Sequence, residues 1–274
     1  MPIVDTHVHV FARDLPMADG RRYAPDYDAD VDDFLRLGQS AGVTHAVLVQ
    51  PSFFGYDCSF MVNTLRRHPG VLRGIAVVPT SIEPRQLAAL RDDGVVGIRL
   101  NLDGLPLPDF ELPEWKRLLA QLSELDMQVE LHRDARDLHA LIPPLVRAGL
   151  RVVVDHFGRP DAQGGRGDPG FQYLLSQAAT GRVWVKLSAA YRNGWQDPAH
   201  PEAVRAACML LANFGTDRLV WGSDWPHTRY EQGNTIAGSL AALETWVPGA
   251  EQRRAILGDS AMQLFGFAPC PRAQ

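Results

Sequence analysis

Apolar residues recur along the chain in two rhythms. Short runs rich in Val, Ile and Leu alternate with longer stretches whose apolar positions fall three or four residues apart. The short runs predict eight strands, at 3–10, 45–50, 72–78, 95–101, 128–132, 152–156, 183–188 and 219–224. The longer stretches predict amphipathic helices at 31–41, 84–93, 113–125, 135–148, 202–214 and 251–265. Strands that alternate with helices imply a parallel sheet. Eight such units in this length suit a closed (β/α)8 TIM barrel better than a doubly wound sheet. Stretches 13–30 and 158–170 are rich in Gly, Pro and Asp and read as loops. No repeat or boundary divides the chain, so one domain over 1–274 is expected.

The polar exceptions to this pattern gather at the strand ends. Strand one ends Asp5-Thr6-His7-Val8-His9. Side chains alternate across a strand, so His7 and His9 project to one side, and Val4, Val8 and Val10 are expected to face the helices. An HxH pair alone is more often structural than catalytic. Strand five, however, ends in His132, strand six in Asp155-His156, and strand eight in Ser223-Asp224. Each could be an ordinary strand-end polar residue touching a loop. Together they fall on the rim where barrel enzymes carry their chemistry. Such a set can hold a divalent metal, or it can work without one: imidazoles would polarise a carbonyl while the carboxylate takes a proton from water.

Arginines form a second layer. Arg99 ends strand four, Arg192 follows strand seven, and Arg133 and Arg159 follow strands five and six. A rim guanidinium suits bidentate capture of a carboxylate, with an internal salt bridge as the alternative. Ser52 and Tyr56 follow strand two and are candidates to hydrogen-bond substrate or to shape the loop.

Composition narrows the partners. The 274 residues are 46% hydrophobic with a formal net charge of −5, so no concentrated basic face marks a nucleic-acid or membrane partner. Cys58, Cys208 and Cys270 form no CxxC pair, which argues against a disulfide framework or thiolate zinc site and for reduced thiols in the cytoplasm. The N-terminus runs directly into Asp5 and the histidines without a signal-peptide pattern, and no apolar run has membrane-spanning length.

The strings Asp5-Thr6-His7-Val8-His9, Gly97-Ile98-Arg99, Asp155-His156-Phe157-Gly158-Arg159-Pro160 and Trp221-Gly222-Ser223-Asp224-Trp225-Pro226-His227 resemble the amidohydrolase-2 branch of the amidohydrolase superfamily. The resemblance covers nearly the whole chain and is strongest toward the pyrone-dicarboxylate hydrolases, with sugar-acid lactonases also similar. It implies a hydrolase that opens the ester bond of a small carboxylated lactone or pyrone. Asp224 would be the general base, His7, His9 and His156 would polarise the scissile carbonyl, and Arg99 and Arg192 would grip substrate carboxylates. The pyrone hydrolases work without metal, so no cofactor is expected to be required. Two departures stand out. Residues 102–106, Leu-Asp-Gly-Leu-Pro, carry no arginine where those enzymes have one. His132 stands on strand five where they have no histidine. With His7, His9 and Asp224, it completes a superfamily-type ligand set for one divalent, zinc-like ion. Two ions are not expected, since strand four ends in Arg99 and Asn101 rather than a bridging lysine. The alternatives are a metal-dependent decarboxylase, a sugar-acid lactonase, and a non-catalytic barrel that binds a sugar acid.

Overall fold

The β-branched runs all form strands: β1 (Val4–Val8), β2 (His45–Val49), β3 (Leu72–Ala76), β4 (Val95–Asn101), β5 (Gln128–His132), β6 (Val152–Val154), β7 (Val183–Ser188) and β8 (Leu219–Gly222). In this computed structural model, which describes residues 1–161 and 167–268, each strand pairs in parallel with its sequence neighbour, in the order β1 to β8. Parallel neighbours need a crossover, and helices supply it. These are α1 (Val31–Ser40), α2 (Ser59–Arg67), α3 (Pro84–Asp92), α4 (Pro113–Glu124), α5 (Leu138–Arg147), α6 (Pro169–Ser176), α7 (Pro201–Phe214) and α8 (Ile236–Trp246). Pro84, Pro113, Pro169 and Pro201 each open a helix, where a missing N–H costs nothing and the fixed φ is already helical. The circle closes where Val8 bridges Trp225 in parallel and the His9 amide donates to the Trp225 carbonyl at 2.8 Å. The result is the expected (β/α)8 barrel.

Several boundaries differ from the sequence reading. β6 and β8 stop before His156 and Asp224, because these two residues leave the β region with φ of 51° and 65°. The helix expected at 135–148 begins with a 3-10 turn at Ala135–Asp137. The one expected at 251–265 divides into α9 (Ala250–Arg254) and α10 (Ser260–Leu264) around a π-helical turn, Ala255–Asp259. Part of the loop expected at 158–170, residues 162–166, lies outside the described residues, as does Cys270. Cys58 and Cys208 are free thiols. No helix among the described residues is long and apolar enough to cross a membrane.

Two apolar layers hold the fold. Outward side chains such as Val8, Leu48, Ile98, Leu131, Val154, Leu187 and Trp221 pack with the helices. Val10 lies in this layer as expected, but Val4 does not. It joins Val47, Val49, Ile75, Val153 and Val220 in a cluster sealed by Leu264, Phe265 and Phe267. The β1–β2 register shifts between Asp5 and Val8, so strict alternation does not extend back to Val4. Above this cluster the barrel interior turns ionic: Asp5, Arg99, Glu130, Asp155 and Lys186 are all buried. Buried charges persist only when paired: Arg99 pairs with Asp155 and Lys186 with Glu130 and Asp155, while Asp5 accepts from the His7 and Ser223 amides.

Candidate active site

The rim brings together His9, Ser52, Arg99, His132, His156, Arg159, Arg192 and Asp224 around one cleft of about 190 Å³. His7 lies fully buried at its base, with its ring centroid 4.9 Å from that of His9 and 4.8 Å from that of His156. Gly222 permits this, since a Cβ there would stand 2.7 Å from the Cβ of His7. Tyr56 is the exception among the expected residues. It is 64% exposed and lines a separate surface depression. The chain turns through Ser52–Phe54, burying Phe53 and Phe54 and leaving Tyr56 outside. A larger depression of about 500 Å³, lined by Arg66, Arg73, Arg151 and Phe265 among others, lies away from the histidines.

Asp224 is the centre of the geometry. Its Oδ2 accepts hydrogen bonds from the Tyr191 hydroxyl at 2.6 Å and from Arg192 Nε at 2.7 Å, with Arg192 Nη2 also at 2.7 Å. Its Oδ1 is buried and has no hydrogen-bond partner among the described residues. Around Oδ1 stand His7 Nε2 at 3.6 Å, His9 Nε2 at 3.7 Å and His156 Nε2 at 4.0 Å. One carboxylate oxygen is thus pinned and the other is presented to three imidazoles. Burial by itself raises this carboxyl, but Arg192, His9 and the other imidazoles outweigh it and hold it well below the usual carboxylate range. It is ionised at neutral pH.

The imidazoles are individually oriented. His9 Nδ1 lies 2.7 Å from the Val49 carbonyl oxygen. A carbonyl only accepts, so Nδ1 carries the proton, and in the neutral ring Nε2 turns a lone pair to the cleft. His156 Nδ1 meets Ser188 Oγ at 2.9 Å. His132 Nε2 faces Arg159 Nη1 at 3.3 Å. Backbone strain concentrates here: apart from Asp126, the non-glycine residues with positive φ among the described residues are His156, Phe157, Arg159, Ala189, Asp224, His227 and Arg229, all at this rim.

The arginines are less free than their positions in sequence suggest. Arg99 Nε and Nη2 both donate to Asp155 Oδ2, at 2.9 and 2.7 Å. Arg192 is committed to Asp224, while Arg159 pairs with Asp134 at 3.0 Å and lies 3.8 Å from Asp103. Arg133 is spent on Asp137 and on the carbonyls of Leu102 and Leu105. Sequence reasoning passed over Arg22, Tyr23, Asp103, Arg229 and Tyr230 at the mouth of the cleft. Arg22 pairs with Asp103. The Arg229 guanidinium lies over the Tyr23 ring at 5.8 Å and makes no ion pair among the described residues, while its backbone N–H donates to Glu231.

Sequence reasoning also assigned no role to Lys186, Glu130 or Asp155. Lys186 Nζ is fully buried between Glu130 Oε2 at 2.6 Å, His7 Nδ1 at 3.0 Å and Asp155 Oδ1 at 3.3 Å. Strand alternation was the available signal, because Lys186 and Ser188 share a face on β7 and Glu130 and His132 share one on β5.

Among the described residues, two groups of three could hold a metal ion, His7–His9–Asp224 and His7–Asp155–His156. His132 belongs to neither, so the four-ligand set expected from sequence is not assembled.

Burial holds His7, His132, His156 and His227 below the ordinary histidine range, with His156 at about 3 and His227 at about 4. The unfolded chain takes up protons at these positions below pH ~6.5 and the folded chain does not, so their stabilising effect is present above ~6.5 and lost as pH falls. Asp5 and Glu130, both raised by burial to about 7, oppose this between pH ~4 and 7. With His45, also lowered by burial, five histidines act against two carboxyls, so Tm is expected to fall as pH is lowered from 7 toward 4.5. A Tm that rises over that range would show that the buried carboxyls dominate.

The sequence profile of the amidohydrolase family matches residues 4–267. The chain is 30% identical over 270 residues to a 4-sulfomuconolactone hydrolase of Hydrogenophaga intermedia, covering 96% of this chain and 88% of that one. It is 31% identical over 275 residues to a 2-pyrone-4,6-dicarboxylate hydrolase of Comamonas testosteroni, covering 96% and 89%. The crystal structure of a probable 2-pyrone-4,6-dicarboxylic acid hydrolase from Acinetobacter baumannii, with citric acid bound, superposes with a TM-score of 0.94 at 38% identity, covering 97% of this chain and all of that one.

Proposed function

Since the chain belongs to the amidohydrolase family, we propose that it is a hydrolase that opens the ester bond of a small carboxylated lactone or pyrone. The observation that carries this is Asp224 Oδ1, buried and without a hydrogen-bond partner among the described residues, amid three imidazole Nε2 atoms. A binding protein has no use for a buried, ionised carboxylate oxygen faced by three imidazoles. A hydrolase does, because an attacking water can donate one hydrogen to Asp224 Oδ1 and the other to the His9 Nε2 lone pair, turning its own lone pair to the carbonyl carbon. The remaining imidazoles face the carbonyl oxygen, where negative charge develops. Water adds to the acyl carbon, the ring C–O bond breaks, and the proton taken by Asp224 passes to the leaving oxygen. Relatives named for sulfonated or dicarboxylated ring substrates, and a relative's structure holding citric acid, support an anionic substrate. The decarboxylase alternative relied on His132 completing a metal set, and His132 instead faces Arg159.

The substrate anion needs a cation that is not already paired. Arg192 no longer fits that role, as Asp224 occupies it. Arg99 keeps Nη1 without a hydrogen bond among the described residues, inside the cleft. Arg229 stands at the mouth. Replacing Arg229 by Met is expected to raise KM for a carboxylated lactone about tenfold, the lower end for a hydrogen bond to a charged group, with little change in kcat. Steady-state kinetics on that lactone and its uncarboxylated counterpart give the check. An equal loss on both would assign Arg229 to packing against Tyr23.

A further inference from the structure

The two histidines of the strand-one pair differ in what they meet behind the cleft. Behind His9 lies a carbonyl, which only accepts; behind His7 lies an ammonium, which only donates. Lys186 Nζ has three N–H groups and three neighbours: Glu130 Oε2, His7 Nδ1 and Asp155 Oδ1. Its two carboxyl neighbours, Glu130 Oε2 and Asp155 Oδ1, are both fully buried and lie within ion-pair distance of it. The other candidate partner for His7 Nδ1 is Asp155 Oδ1 at 3.4 Å, an oxygen that also lies 3.3 Å from Lys186 Nζ. A proton on Nδ1 directed there would sit against the ammonium 3.0 Å away.

We propose that Lys186 is a positioning residue which, by donating to His7 Nδ1, commits His7 to presenting its Nε2–H to the cleft as a hydrogen-bond donor for the substrate carbonyl oxygen. The HxH pair is then divided: His9 offers a lone pair to the attacking water, and His7 offers an N–H to the oxygen that becomes negative. Both candidate metal groups contain His7. With Nε2 protonated and Nδ1 facing Lys186, neither group fits a divalent ion, which needs a lone pair from each imidazole.

This inference rests on the hydrolytic reading of the cleft, but it is tested without substrate. Long-range 1H–15N correlation spectra of the 15N-labelled full chain read the tautomer directly, with His7 identified by comparison with His7→Asn. The expected spectrum shows His7 protonated at Nε2 and unprotonated at Nδ1. Protonation at Nδ1 overturns the proposal. In Lys186→Gln the amide oxygen can accept from Nδ1, so the His7 pattern is expected to reverse. Affinity for zinc chloride, titrated by calorimetry, is expected to rise about tenfold or more over the wild type, the scale of second-shell effects on metal binding. A folded Lys186→Gln chain with the wild-type tautomer overturns the proposal. If that variant does not fold, the wild-type spectrum decides. Turnover of lactone with Nδ1 protonated would sink this inference alone, whereas the Nε2–H tautomer in a chain inactive on every lactone would sink the hydrolytic reading alone.

Discussion

Replacing Asp224 by Asn is expected to lower kcat for lactone opening by at least ~100-fold, the lower range for a positioned general base. Tyr191 and Arg192 both donate to Oδ2, so the carbonyl of the substituted amide would take that place. Its NH2 would then occupy the position of Oδ1, among His7, His9 and His156. An NH2 cannot accept a proton from water. The variant also leaves Arg192 without its counter-charge. Arg192 is 17% exposed, so the cost stays below the ~3–5 kcal/mol of a fully buried broken pair, and Tm is expected to fall while the fold persists. Kinetics and thermal unfolding on one preparation separate the two effects. A well-folded Asn variant with most of its turnover would remove Asp224 from the chemistry.

The second large effect is on stability. Lys186→Met would leave Glu130 and Asp155 facing a methyl thioether inside the barrel. Both carboxyls are fully buried, so a loss of ~3–5 kcal/mol is expected on urea unfolding. Asp155 keeps Arg99 at 2.7 Å, whereas Glu130 loses its hydrogen-bonded cation. Without Lys186, burial raises the Glu130 carboxyl further above its unfolded value. The stability it contributes is then present at low pH and lost as pH rises, so the deficit should be larger at pH 8 than at pH 6. The double variant Lys186→Met with Glu130→Gln should recover part of the loss and flatten that pH dependence. A single variant within about 1 kcal/mol of wild type would show that the ionic layer is not stabilised by its pairing.

The eight strands were legible because parallel strands buried on both faces read as continuous Val, Ile and Leu runs. His7, His9, His132, His156 and Asp224 were legible because polar residues at strand ends interrupt those runs. Strand ends were not legible where His156 and Asp224 adopt positive φ, a choice imposed by tertiary contacts rather than by local preference. The partners of the arginines were equally hidden. Asp155 and Arg99 are 56 residues apart in sequence, and Asp224 and Arg192 are 32 apart, so only the closed barrel reveals that each guanidinium already has its carboxylate. His132 shows the same limit in reverse. Its strand position suggested a ligand, but its ring meets Arg159 instead. Tyr56 failed for a local reason, the turn that places it outside the cleft.

Ring opening by water is tested most directly by incubating the purified chain with a carboxylated lactone in H2(18)O and analysing the product by mass spectrometry. Attack at the acyl carbon predicts one heavy oxygen in the newly formed carboxylate, with all carbon retained and the ring oxygen left unlabelled as the hydroxyl. Release of carbon dioxide with an unlabelled product, or label in the hydroxyl instead of the carboxylate, would contradict the account.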